Sequence, residues 1–113
     1  MKDYIKLLDL IEEATGQDLV FMERDITEGI VYNIIPITNN GVKRQDKLEI
    51  RIISKNISTI NELHDKINSV LLTVGDSVDP TIRKITLNGG GLLKQPESEL
   101  LHHLSYYYIN KIN

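Results

Sequence analysis

The sequence predicts an α+β domain, a mostly antiparallel sheet with two helices packed on one face, in the order α-β-β-β-α-β-β. Three observations predict it. Two segments repeat apolar residues at spacings of three and four, several runs are rich in β-branched and aromatic residues, and an Asn-Gly pair separates two of those runs. A chain of 113 residues suits one domain, spanning 1–113, with one modest hydrophobic core.

The first helix is carried by Tyr4, Leu7, Leu8, Ile11 and Ala14, with Lys2, Asp3, Lys6, Asp9, Glu12 and Glu13 mostly on the opposite side. Gly16 stands just past the last periodic position, where a left-handed backbone ends a helix. The period then changes. Leu19-Val20-Phe21-Met22 and, after a turn-like Thr27-Glu28-Gly29, the run Ile30 to Ile37 read as strands. Pro36 has no amide hydrogen for a ladder, so its strand is expected at an edge or to end there. Thr38-Asn39-Asn40-Gly41 supplies hairpin turn chemistry. Beyond it Leu48, Ile50 and Ile52 alternate with Lys47, Glu49 and Arg51, giving a hairpin with one wet face.

Thr59 followed by Glu62 has the form of a capping box, and Ile60, Leu63, Ile67, Val70, Leu71 and Val74 make one stripe behind it. The segment Gly75 to Pro80 breaks the helix. Arg83, Ile85 and Leu87 alternate with Lys84, Thr86 and Asn88, a strand that runs into Gly89-Gly90-Gly91. Leu100 to Asn113 suits a helix by spacing, yet Ser105 and the consecutive Tyr106, Tyr107 and Tyr108 favour a strand, because aromatics pack well on a pleated surface.

Composition narrows the function classes. The apolar fraction is 41% and the charged fraction 26%, ordinary globular usage. With 13 basic and 16 acidic side chains the net charge is -3, which gives no footprint for tight duplex binding. No cysteine is present, which excludes disulfides, thiolate nucleophiles and cysteine-held metals. The acidic start lacks the pattern of a signal peptide, and no window approaches the ~20 apolar residues of a membrane span, so a soluble protein made inside the cell is expected.

The glycines open three readings: a phosphate cradle, a tight backbone contact, or a flexible flap. Asn88-Gly89-Gly90-Gly91 leads into Leu92-Leu93-Lys94-Gln95-Pro96 and fits neither the dinucleotide fingerprint nor the Walker loop. The stretch is therefore expected to be an extended loop between two strands. A phosphate-using enzyme would recruit Lys94 with His102 or His103. His102 and His103 are adjacent and point apart on a strand, and His64 sits at the border of the helical stripe, so neither a metal nor a cofactor is expected. No serine lies in a nucleophile elbow. What stands out is exposed apolar material. Leu92 and Leu93 either fold back on their own domain or are covered by a partner, and three tyrosines in a row put rings on both faces of a strand. Lys43, Arg44 and Lys47 form a basic hairpin tip, a solvated turn or a contact for an acidic partner.

The whole layout, with a helix of the form Ile60-Asn-Glu-Leu63-His-Asp-Lys-Ile67 followed by TIRKITLNGGGLLKQPESELLHHLSYYYI, resembles the tail terminator proteins of long-tailed bacteriophages, also described as tail completion or minor capsid proteins. The resemblance covers nearly the whole chain. It implies a non-enzymatic subunit, without cofactor, metal or membrane, that forms a six-membered ring on the head-proximal end of the tail tube. Such a ring stops tube polymerisation and meets the head-tail connector or stopper protein, with DNA only as cargo passing through the lumen. It implies a virion location, tail or neck, after synthesis in the host bacterial cytoplasm. On this resemblance the contacts with neighbours fall to Lys43, Arg44, Lys47, Gly89, Gly90, Gly91, Leu92, Leu93, Lys94, Tyr106, Tyr107 and Tyr108. A small monomeric adaptor domain is the alternative.

Overall fold

A computed structural model describes residues 4–21, 28–94 and 98–112. Helix α1 (Ile5–Thr15) leads to β1 (Leu19–Phe21), β2 (Gly29–Asn39) and β3 (Lys43–Ser54), then to α2 (Ile57–Thr73), a 3-10 turn at Gly75–Ser77, β4 (Ile82–Lys94) and β5 (Leu101–Ile112). The element order and the α+β class are those that the sequence predicts.

The strands form one five-stranded sheet in the order β1-β2-β3-β5-β4. Only β1 runs parallel to its neighbour, and the other pairs are antiparallel. Register sorts the side chains. Leu48 stands opposite Tyr107 and Ile34, and Ile50 opposite Ser105 and Tyr32, so these residues share a face. That face carries both helices. Leu7, Leu8 and Ile11 of α1 join Ile60, Leu63, Ile67 and Leu71 of α2 over Ile30, Leu48, Ile50, Ile52, Ile82, Ile85, Tyr107 and Ile109 in one buried cluster. Each such aliphatic side chain contributes about 1.5–3 kcal/mol through removal from water.

Local signals account for most element ends. Gly16 caps α1 with φ 70°, and its amide donates to the Glu12 carbonyl. Gly41 turns the β2–β3 hairpin with φ 88°, and the Asn40 side chain accepts from the amides of Val42 and Lys43. The capping box is displaced. Helix α2 starts at Ile57 under Asn56, whose side chain accepts from the Ser58 amide at 2.9 Å, so Thr59 lies inside the first turn. Val74 ends the stripe exposed, at 44%.

Three strand expectations are refined. Pro36 neither ends β2 nor lies beside β1. The ladder with β1 covers Ile30 to Tyr32 only, so Pro36 sits where β2 has no outer neighbour strand among the described residues, the edge placement expected of it, next to a register shift with β3. In β4 a shift between Ile82 and Lys84 puts Ile82 and Ile85 in the core and leaves Leu87 exposed, at 39%. The third refinement is a correction. Gly89, Gly90, Gly91, Leu92, Leu93 and Lys94 do not form a loop; they belong to β4, where Gly90 to Lys94 pair with Ser105 to Leu101. Hydrogen bonding to β5 overrides the local preference of glycine for irregular backbone. Met22, Thr27 and Pro96 lie outside the described residues.

Candidate functional site

The glycines sit where β4 closes on β5. A register shift falls between Leu87 and Gly90, and Gly89 and Gly90 have φ of 107° and 141°, conformations that L side chains resist. A Cβ on Gly90 would stand 2.1 Å from the Leu104 carbonyl oxygen. Of the three sequence readings, the tight backbone contact is the one that this strand realises. Because β4 is the last strand of the sheet, its outer edge has no partner strand among the described residues. Leu92, 47% exposed, lies opposite His103 on the helix-bearing face, and Leu93, 58% exposed, lies opposite His102 on the other. Neither leucine folds back into the core. Lys94 is exposed beside them.

The tyrosines divide by register. Tyr107 is 0% exposed and donates its hydroxyl hydrogen to Asn68 Oδ1 of α2, so it belongs to the core and not to an outer surface. Burial pushes its phenol pKa well up. Tyr106 and Tyr108 are half-buried on the face away from the helices. Lys47 lies on that face too, with its ammonium 4.9 Å from the Tyr106 ring centroid and 3.6 Å from Glu49. Lys47 is thus a mid-strand residue of the open sheet face, not of the hairpin tip.

Lys43 and Arg44 lie at the other end of the sheet and separate in role. Lys43 is exposed. Arg44 turns inward, with Nε 3.0 Å from Asp46 and a guanidinium nitrogen donating to the Tyr4 hydroxyl at 3.3 Å. Tyr4 in turn donates to Asp46, and the Lys111 ammonium stands 4.8 Å from the Tyr4 ring centroid and 3.4 Å from Asp79. Hydrogen bonds from the Thr81 amide and hydroxyl hold the Asp79 carboxyl below its usual range. This polar knot ties the start of α1 to β3, β5 and the segment before β4. A cleft of about 760 Å³ opens beside it, lined by Asn40, Lys43, Arg44, Arg83, Asn110 and Lys111 among others.

A second cluster escapes sequence reasoning. His64 of α2 and His103 of β5 meet with ring centroids 4.3 Å apart, and Ser105 Oγ lies 3.2 Å from His64 Nδ1 and 3.4 Å from His103 Nδ1. Since Asn68 Oδ1 accepts from Tyr107, its amide nitrogen points to His64 Nε2 at 3.1 Å. The direction then propagates: His64 accepts at Nε2, donates from Nδ1 to Ser105, and Ser105 donates to His103. This run of hydrogen bonds uses the neutral form of both imidazoles. Burial lowers the pKa of each, and the neighbouring His64 lowers that of His103 further, while Asp65 partly offsets the effect at His64. His102 points the other way, toward Arg51, and burial followed by that charge lowers its pKa. No group of three or more His, Cys, Asp or Glu that could hold a metal occurs among the described residues.

The candidate residues therefore fall in three places: the β4 edge, the open sheet face and the hairpin-end cleft. Gly90 stands opposite Ser105, whereas Lys43 stands opposite Ile112 toward the other end of β5. Among solved structures, the chain is similar to one from the virion of a native gene transfer agent particle, with a TM-score of 0.65. This likeness is one of fold. Sequence identity is 5%, over 99% of this chain and 91% of the other. No protein-family model matches the chain, and no curated protein matches it. Among the described residues no helix is long and apolar enough to cross a membrane.

Proposed function

We propose that this chain is a virion structural protein of a phage-like particle, a tail terminator that forms a ring at the head-proximal end of the tail tube. What carries the reading is the shared fold, end to end, with a chain of a gene transfer agent virion. The exposed Leu92 and Leu93 on a strand edge without a partner strand among the described residues support it, since apolar anchors on such an edge suit coverage by another subunit. On this reading the ring is hexameric, built from head-to-tail contacts in which one patch of each subunit meets a different patch of the next. Its further partners are the tail tube protein and the head-tail connector or stopper, and DNA only passes through. The role is mechanical and non-enzymatic.

The interface is proposed to comprise Gly89, Gly90, Gly91, Leu92, Leu93 and Lys94 at the β4 edge, Lys47, Tyr106 and Tyr108 on the open face, and Lys43 and Arg44 at the cleft. Tyr107 supports it from within. The test pairs size-exclusion chromatography and light scattering with the variant Leu92→Asp/Leu93→Asp. Wild type is expected to show a concentration-dependent species near six times 12.9 kDa, and the variant to stay folded as a monomer. A wild type that remains monomeric at millimolar concentration, both alone and with tail tubes, would reject the ring.

A further inference from the structure

One basic and one acidic cluster stand at separate corners of the molecule. At the hairpin end of the sheet the cleft is lined by Lys43, Arg44, Arg83 and Lys111 with uncharged neighbours, and no carboxylate side chain lines it among the described residues. Arg44 and Lys111 are held in place by Asp46 and Asp79, while Lys43 and Arg83 are exposed on the rim. A separate acidic cluster lies on α1 and the turn after it. Asp9, Glu13 and Asp18 are exposed along α1 and the turn into β1, with Glu12 half-buried beside them, and no basic residue occurs from Leu7 to Phe21. Glu12 Oε2 accepts from the Leu19 amide at 2.8 Å, which fixes this corner to β1. Since Leu19 pairs with Ile30 and Ile30 with Ile52, the acidic corner belongs to the Ile52 end of β3, roughly 27 Å along the strand from Arg44 at the rise of an antiparallel strand.

With a net charge of only -3, a corner that gathers four cations around one concavity is a local departure from the average, and the protein carries its complement on its own surface. Two different, mutually complementary patches on one chain let copies meet head to tail, the basic cleft of one against the acidic corner of the next. We infer that the hairpin-end cleft, through Lys43 and Arg83, receives the acidic α1–β1 corner of a second copy of this chain, through Glu13 and Asp18. This rests on the assembly reading above and specifies which patch meets which. The charges set direction and register of the contact, and the apolar groups supply its holding strength.

The experiment uses two exposed-residue variants and their mixture. Lys43→Glu/Arg83→Glu makes both corners acidic, and Glu13→Lys/Asp18→Lys makes both basic. Thermal melts close to wild type would show that each is folded. Measured by light scattering in 0.05 M salt, each variant alone is expected to associate at least ~10-fold more weakly than wild type, because like charges now face one another. The equimolar mixture is expected to regain assembly, since each variant complements the other. Raising the salt to 0.5 M should weaken wild-type assembly ~10-fold by screening. Folded variants that assemble like wild type, or a mixture that stays monomeric, would overturn the pairing. If assembly ignores these charges yet is abolished by Leu92→Asp/Leu93→Asp, the ring survives and this pairing falls. A wild type that never self-associates removes both.

Discussion

Three neighbouring glycines in β4 should respond differently to the same added methyl group. Gly90→Ala places a non-glycine residue at φ 141° and sets its Cβ 2.1 Å from the Leu104 carbonyl oxygen, 3.0 Å from the Leu104 carbonyl carbon and 3.1 Å from Ser105 Cα. These are backbone atoms, which no rotamer change can clear. The dihedral strain costs about 1–3 kcal/mol. Relieving the overlap requires β4 to lift from β5 and weaken ladder bonds worth about 1 kcal/mol each. The sum is about 2–5 kcal/mol, a large share of the ~5–15 kcal/mol that stabilises a domain. At ~4 °C per kcal/mol for this size, the melting temperature should drop by about 8–20 °C. Gly89→Ala keeps the strain, at φ 107°, but meets only Tyr106 Cδ2 at 3.8 Å, so about 1–3 kcal/mol is lost. Gly91→Ala meets nothing within 4 Å and has no positive φ, and it should be neutral or gain up to about 1 kcal/mol. Urea or thermal unfolding followed by circular dichroism gives the order. If all three variants melt within ~2 °C of one another, the glycines are a loose loop and the described pairing of β4 with β5 is wrong.

Other outcomes follow from the helix cap and from the histidines. Asn56→Ala should cost about 1 kcal/mol by removing the acceptor for the Ser58 amide, whereas Thr59→Ala should cost less than half of that, and equal losses in chemical denaturation would restore the capping box. For His64 and His103 burial holds the folded-state pKa below the ordinary imidazole value of 6.5, so the unfolded chain binds more protons as the pH falls. Their contribution is complete above about pH 6.5 and declines as the pH drops below it. His64→Gln/His103→Gln should flatten the change in melting temperature between pH 7.5 and 5. An unchanged slope in that variant would mean that other groups cause it. Tyr107→Phe removes the hydroxyl donated to Asn68 and should lower stability by about 1 kcal/mol with no change in assembly, which equilibrium unfolding and light scattering read separately.

The fold was legible wherever a local pattern and a tertiary demand coincide. The stripe from Ile60 to Leu71, the glycine after α1 and the Asn-Gly hairpin each state their structure within a few residues, and the structure agrees. The glycines of β4 misled because their backbone is decided by a strand some fifteen residues later in sequence, which no local preference encodes. Thr59 misled for a smaller reason: Asn56 is an equally good cap, and nothing in Ile57 or Ser58 prevents an earlier start. Alternation indicated that the tyrosines face both ways, but only the pairing of Leu48 with Tyr107 selects which one enters the core. The His64, Ser105 and His103 cluster had no sequence signal at all, because α2 supplies one imidazole and β5 the other.

The knot of Tyr4, Arg44, Asp46, Lys111 and Asp79 gives the N-terminal helix an anchor of an unusual kind. Tyr4, 3% exposed, is seated between two cations and a carboxylate that stand directly behind the cleft wall. Whatever settles against Arg44 and Lys111 from outside therefore pulls on the same groups that clamp the helix from inside. Filling that hollow would load the first turn of α1 through these shared groups, and amide exchange near Tyr4 is where the effect is expected to be read.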